Sequence, residues 1–597
     1  MGRSDMPLNR VEQPEGATEN APRFGSDVIA QTLRDLDIRY IALNPGASFR
    51  GLHDSLVNYL GNADPRMLLC LHEEHAVAIA HGYAKVTGKA MAAAVHSNVG
   101  LMHATMAIFN AWCDRMPVLV LGATGPVDAD KRRPWIDWIH TAADQGALVR
   151  NYVKWDDQPA SPAAAREALL RGTWLADSAP KGPVYINFDS AMQEAELSGE
   201  MSRADTARFV QPPRSGVDAK TLDEIAGLIA AAKAPVVLAG RVSRDEAAWA
   251  QRIALVEAMG AKVITDLKVA TAFPTTHPSY AGDLRGRRGA ETLAVLKQAD
   301  LVIALDWVDL HGALTVAFGA QGPKGTVIRV GLDRHIHNGW SMDHQAHPLA
   351  DLTLDCDPDA FTAALATRLG AAQPAAQVPT VPVPPVPAQQ GALSVEQIAL
   401  ALRHALDGEK TSLTHVTLSW DGGYWPFAHP LDYLGSDGGG GIGAGPGHAV
   451  GAALGLREIG SDRIAVAVCG DGDFLMGVTA LWTAVHYGIP LLIVVANNRS
   501  FFNDEVHQEK VARMRGREVA NKWIGMRMSD PAIAIADMAT AQGCSGFGPV
   551  ETLDDLSAAL SKAVAEVKAG RVAVVEVITD ASYPESLVAA LTPEAKG

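Results

Sequence analysis

The stretch "VCGDGDFLMG", residues 468–477, decides how the third part of the chain folds and what it holds. The apolar run "RIAVAV" leads into it and reads as a buried strand. Two glycines then flank Asp471, so the backbone there can take unusual angles or approach a ligand closely. The turn carries two carboxylates, Asp471 and Asp473, and no lysine. A loop this acidic holds phosphate only through a cation. "DFLMGVTALWTAVHYG" follows as a helical stretch starting after Asp473, and "IPLLIVVANN" as a second apolar strand. Strand, helix and strand with near-continuous apolar strands imply parallel neighbours covered on both faces. Ligands in such sheets bind at the carboxyl ends of strands. That places Asp471 beside Asn497 and Asn498. A carboxylate and amide oxygens are hard ligands that suit magnesium, which takes few carboxylates and shares phosphate oxygens. The positive end of the following helix favours the same anion.

The wider chain has 597 residues, 48% hydrophobic and 20% charged, with a formal net charge of −16. That is a soluble globular composition large enough for several domains. The acidity argues against nucleic acid or an anionic membrane as partner. Five scattered cysteines without a CxxC fit a reducing cytoplasm and no zinc site. No apolar run is long enough to span a bilayer, and the polar N-terminus lacks a signal core.

The uncharged stretch "AAQPAAQVPTVPVPPVPAQQ", 371–390, is a semi-rigid linker. A second boundary lies at 193–216. The expected layout is a disordered tail over 1–22, domains at 23–192, 217–370 and 391–585, and a tail at 586–597. Each domain alternates apolar runs with helical patterns, so the fold class is α/β with three doubly wound parallel-sheet domains.

"GDG", 24 residues, then "NN" resembles the signature of thiamine-diphosphate-dependent 2-oxo acid decarboxylases and acetolactate synthases. The resemblance covers about residues 23–585: a pyrimidine-binding, a central and a diphosphate-binding domain. It implies thiamine diphosphate and Mg2+ as cofactors. It implies that Asp471, Asn498 and the Ser500 carbonyl hold the metal. It also implies that Gly470, Asp471, Gly472, Asp473 and Phe474 form the diphosphate turn. Asp473 departs from the small hydroxyl residue often found at that place and is expected to cap the helix. The glycine run "SDGGGGIGAGPGHAVGAALG", 436–455, could be misread as a dinucleotide fingerprint, but no apolar strand precedes it. By the resemblance Ile442 is the wedge that bends the cofactor, and the Gly440 carbonyl receives its 4′-amino group.

The family also needs a glutamate hydrogen-bonded to N1′ of the cofactor. In "LHEEHAVAIAHGYAKVTG" it lies nine residues before the glycine of "GYA", which selects Glu73 over Glu74. Glu73 falls on an apolar helix face, where burial raises a carboxyl pKa. Glu74 reads as a solvated acid at the helix start. "AAAVHSNVGLMHATM" most resembles benzoylformate decarboxylase, whose histidine-serine pair here implies proton handling by His96. Asn44, His103, Phe501 and Phe502, with His507, are candidate substrate-pocket residues, the last three on a loop, "RSFFNDEVHQEK", similar to the family's mobile cover. "GDLRGRRGAETL" departs from the flavin-binding stretch of some relatives, so FAD is not expected. The expected activity is non-oxidative decarboxylation of a small-molecule 2-oxo acid, an arylglyoxylate favoured, with carboligation as a further outcome. Other readings are an acetolactate-synthase-like carboligase, a cyclic-diketone hydrolase, a catalytically silent binding module and a nicotinamide dehydrogenase. The resemblance implies a homodimer at least, with a homotetramer usual.

Overall fold

The computed structural model describes residues 12–16, 21–284, 286, 288–319, 321–335, 347–372 and 381–582. The tail expected at 586–597 lies outside the described residues, as do 373–380 of the proline-rich linker and Arg285 and Arg287 of the "GDLRGRRGAETL" stretch.

Three parallel sheets carry the chain. The first contains β1 (Tyr40–Leu43), β2 (Arg66–Leu69), β3 (Met91–His96), β4 (Val118–Thr124), β5 (Asp156–Asp157) and β6 (Val184–Asp189), in the order β2-β1-β3-β4-β6-β5. The central sheet contains β7 (Pro235–Ala239), β8 (Lys262–Thr265), β9 (Tyr280–Asp283), β10 (Leu301–Leu305), β11 (Thr326–Gly331) and β12 (Leu352–Asp355), in the order β12-β11-β10-β7-β8-β9. The third contains β13 (Thr411–Val416), β14 (Ile464–Gly470), β15 (Leu491–Asn497), β16 (Ser545–Val550) and β17 (Val572–Ile578), in the order β13-β14-β15-β17-β16.

Strands this apolar are stable only when both faces are covered. Ala93 and Val95 of β3 face one core, while Ala92 and Ala94 face another. In β14, Ala467 and Cys469 face the first of these cores, and Val466 and Val468 face a third. One core is therefore shared by the first and third domains.

That shared core is closed by two helices, α1 (Glu73–Thr87) and, much later in sequence, one spanning Gly445–Glu458. Between them in sequence, α2 (Ser97–Cys113) follows β3 directly; the Gly445–Glu458 helix is α3. Glycines let α1 and α3 approach closely. A Cβ at Gly82 would lie 2.2 Å from the His448 carbonyl oxygen, and one at Gly451 would lie 2.0 Å from that of Ile79.

The segment after Gly470 differs from expectation. The helix starts at Asp471 itself and is broken in two, α4 (Asp471–Gly477) and α5 (Ala480–His486). The expected cover loop is instead mostly a helix, α6 (Phe502–Met514), preceded by Phe501. Residues 12–16, expected within a disordered tail, are placed: Tyr487 donates from its hydroxyl to Glu12 at 2.8 Å, and His486 Nε2 lies 2.9 Å from the same carboxylate. Among the described residues no helix is long and apolar enough to cross a membrane.

The seam between α1 and α3 should tolerate no added methyl. Gly451→Ala is expected to cost about 1–3 kcal/mol through overpacking. Gly227→Ala, on an exposed helix with nothing within 4 Å of the new Cβ, should stabilise by about 1 kcal/mol. Thermal unfolding of the two variants checks this. Equal shifts of the same sign would refute the close-contact reading.

Candidate active site

At the carboxyl end of β14, Asp471 is buried. Its Oδ1 accepts the Gly472 N–H at 2.8 Å and its Oδ2 accepts the Ser500 N–H at 3.1 Å. Asn498 Oδ1 accepts the same Ser500 N–H at 2.9 Å. Two oxygens from adjacent strand ends thus converge on one point. Burial raises the Asp471 pKa, with the N–H groups of Gly472, Ser500 and Arg499 pulling against it. A divalent cation against both oxygens would relieve that burial, so the donor set fits magnesium. Ser500 is itself fixed, because its hydroxyl donates to the fully buried Glu505 at 2.6 Å and Arg527 Nε donates to that carboxylate at 2.9 Å. Asn497 is turned elsewhere and donates to Glu576 at 2.8 Å.

The Phe501 ring covers the acidic turn, for a Cβ at Gly472 would meet it at 2.7 Å. Phe474 is buried beneath the turn, Phe502 is half-buried at the start of α6, and His507 is exposed on that helix. In the glycine run, Gly440 and Gly443 have φ of +74° and +104°, a region that favours glycine. Between them Ile442 stays 38% exposed. An apolar side chain held out by two such glycines fits the wedge. Asp473 does not cap α4. Its carboxylate accepts N–H groups of the glycine run instead, from Gly443 at 2.7 Å and Gly445 at 3.3 Å.

In the first domain, Glu73 opens α1 and is 7% exposed. Its carboxyl lies over Gly100 of α2, where a Cβ would come within 2.9 Å of Oε1. His103 Nδ1 stands 3.0 Å from the Glu73 Oε2, and the His103 ring stacks on His72 at 4.9 Å. Glu74 is not the solvated acid expected. It is half-buried, and burial, then the charge of Asp473, raises its pKa.

His96 ends β3 with its ring against Gly46, where any Cβ would overlap it. Its Nδ1 lies 2.7 Å from the Ser48 hydroxyl and accepts the Ser48 N–H at 3.5 Å. The short contact with the hydroxyl, which can donate or accept, fixes the orientation of the ring. Burial lowers the His96 pKa, His140 edge-on at 4.8 Å lowers it further, and Glu73 opposes both. Ser48 and His140 went unnoticed in the sequence. Ser48 follows "NPGA" at a strand end, which is a usable signal; His140 lies in an irregular stretch with none. Asn44 donates to the Cys70 carbonyl at 2.9 Å and so ties two strand ends together.

The central sheet reverses its strand order between β7 and β10, the usual place for a nucleotide. Here Arg241, just after β7, pairs with Asp306, just after β10, at 3.0 Å and with Asp333 at 2.8 Å. Arg115, two residues past the end of α2, reaches the same Asp333 at 2.8 Å.

Residues 23–148 match the family described as thiamine pyrophosphate enzyme, N-terminal TPP binding domain. Residues 222–335 match its central domain and residues 417–577 its C-terminal TPP binding domain. The acetolactate synthase isozyme 3 large subunit of Escherichia coli is 24% identical over 94% of this chain and 96% of its own. Benzoylformate decarboxylase of Pseudomonas aeruginosa is 25% identical over 73% of this chain and 80% of its own. The structure of benzoylformate decarboxylase from Polynucleobacter necessarius superposes with a TM-score of 0.76 over 94% of this chain and all of that one, at 22% identity. The chain belongs to the thiamine pyrophosphate enzyme family.

Proposed function

We propose that this enzyme decarboxylates a small 2-oxo acid without oxidation, an arylglyoxylate being the favoured class, using thiamine diphosphate and Mg2+. The observation that carries this reading is His96: an imidazole at the carboxyl end of β3, held by the Ser48 hydroxyl at 2.7 Å. A positioned imidazole suits a reaction that ends in protonation, since it can take up a proton and deliver it; a second carbonyl in place of that proton would give carboligation. Bound thiamine diphosphate supplies the electron sink for loss of carbon dioxide. Asp471, Asn498 and the Ser500 carbonyl would hold the metal, with Gly470, Gly472 and Phe474 shaping the turn. Ile442 and the Gly440 carbonyl would orient the ring, and Glu73 would hold the proton at N1′. Asn44, His103, Phe501 and Phe502 border the pocket in this reading.

The Arg241–Asp306–Asp333 ion pairs lie at the strand reversal of the central sheet, and together with the departure of "GDLRGRRGAETL" from the flavin-binding stretch they favour a central domain without FAD. The exposed apolar side chains Val99, Met102, Trp135 and Trp138 on the first domain support a homodimer at least, and a tetramer by analogy. A cytoplasmic enzyme is the natural setting for five free cysteines.

Three measurements test the reading. Asp471→Ala should abolish retention of magnesium and thiamine diphosphate together, as read by calorimetric titration; unchanged diphosphate affinity would remove the metal assignment. Glu73→Gln should slow deuterium exchange at C2 of the bound cofactor by roughly 10²- to 10⁴-fold, the range for a positioned acid–base group. Glu74→Gln should change it little, since it is Glu73 and not Glu74 whose carboxyl lies over Gly100 and beside His103; the reverse ranking would shift the active carboxyl by one residue. His96→Ala should lower kcat on aryl 2-oxo acids by about 10²-fold or more while leaving cofactor affinity near the parent value. A full kcat across aryl, branched and short 2-oxo acids would return His96 to a structural role.

A further inference from the structure

Asp473 puts a second carboxylate two residues from the proposed metal ligand, where an anionic cofactor would be repelled unless the charge is matched. One oxygen is hydrogen-bonded to backbone and the other lies within ion-pair distance of a histidine. Oδ1 accepts the N–H groups of Gly443 and Gly445. Oδ2 lies 3.1 Å from His415 Nε2. His415 Nδ1 lies 3.0 Å from Asp437 Oδ1, and Asp437 also faces His448 Nδ1 at 3.5 Å. All four side chains are buried. Burial pulls the His415 pKa down, but Asp437 and Asp473 outweigh it and push the ring up to about 10. Gly445 has to be glycine for this arrangement, since a Cβ there would lie 2.2 Å from Asp473 Oδ2. Ala444 offers no side-chain cap to α3, so Asp473 caps that helix from another element. The far end of the glycine run is held too: Lys85 donates to the Ser436 carbonyl at 2.5 Å, and Gly439 donates its N–H to Asn110 at 3.1 Å.

Cys469 adjoins the same group, and with His415 and Asp473 it could form a metal cage. Burial and the charge of Asp473 raise its thiol pKa well above the ordinary value, so the sulfur stays protonated and is a poor ligand. The cluster is an ion-pair network.

We propose that Asp473 and His415 are positioning residues for the cofactor. Asp473 clamps Gly443 and Gly445 so that the turn holds Ile442 outward, and His415 supplies the counter-charge that keeps this carboxylate compatible with a diphosphate beside Asp471. The proposal rests on the thiamine diphosphate reading above.

The test compares Asp473→Asn, His415→Asn and the double variant with the parent as full-length apoprotein. Thiamine diphosphate affinity at saturating magnesium is read from tryptophan fluorescence. Amide exchange across residues 436–447 is read by mass spectrometry with no cofactor present. His415→Asn strands a buried carboxylate and should weaken cofactor binding by about 10- to 100-fold, the range for a charged hydrogen bond. The double variant should regain part of that loss, a non-additive result that a general loss of packing does not produce. The cofactor KM should rise far more than kcat falls. Exchange at Gly443 and Gly445 should speed up in Asp473→Asn. Should His415→Asn fail to fold, Asp473→Asn carries the same comparison. Parent-like affinity in His415→Asn, or unchanged exchange at both glycines in Asp473→Asn, overturns the proposal. A parent that binds no thiamine diphosphate, with exchange still rising in the variants, defeats the functional reading and leaves the clamp standing.

Discussion

The contact between α1 and α3 fixes everything that the site requires. The Ile79 carbonyl lies where a Cβ of residue 451 would be, and the His448 carbonyl does the same at Gly82. Backbones this close leave no room to slide, since interiors are packed at crystal-like density. At one end α1 begins with Glu73; α3 begins where the glycine run ends. A single seam therefore sets the carboxyl that would activate a cofactor and the turn that would hold one. The shared core behind it, with Tyr83, Val450 and Leu454, makes the first and third domains one packed unit within the chain.

Much of this was legible because its signals are local. The runs "RIAVAV" and "IPLLIVVA" needed only their apolar continuity to be read as parallel strands, and they became β14 and β15. Asp471 and Asn498 could be paired because one crossover brings consecutive strand ends together. The choice of Glu73 over Glu74 came from the family's spacing to the glycine of "GYA", and Glu73 is the more buried of the two. Where helix periodicity is weak the reading failed. Charged α6 looked like a loop, because its apolar residues do not gather on one face. The continuous helix expected after Asp473 ignored the break at Val478 and Thr479. Glu74 looked solvated because a helix start usually is, and no sequence period reports the third-domain surface covering it.

The unread parts depend on tertiary geometry. His415, Asp437, His448 and Asp473 come from a strand, a turn and two helices, and their pairing follows no spacing rule. The same holds for Arg115, Arg241, Asp306 and Asp333, which join the first domain to the central sheet. Breaking one member of such a buried group leaves a charge without its partner, and that penalty exceeds what the intact pair contributes. These groups are better understood as fixing one arrangement of domains than as sources of stability. In the central domain the group lies at the strand reversal, where it ties β7, β10 and the segment after β11 to one another.

The two acids of "GDGDF" show how neighbouring carboxylates with the same intrinsic chemistry come to different roles. Asp471 lies at the end of β14 among backbone N–H groups that do not fully offset its burial, and it faces an amide oxygen from the next strand. That is a position calling for an added cation. Asp473 is half a helical turn further on, which rotates it toward α3 and His415, and there the protein itself supplies the positive charge. Net charge is a poor guide here. A chain at −16 can still accept an anionic cofactor, because over a few ångströms the balance is set by which carboxylates are already matched and which one is not.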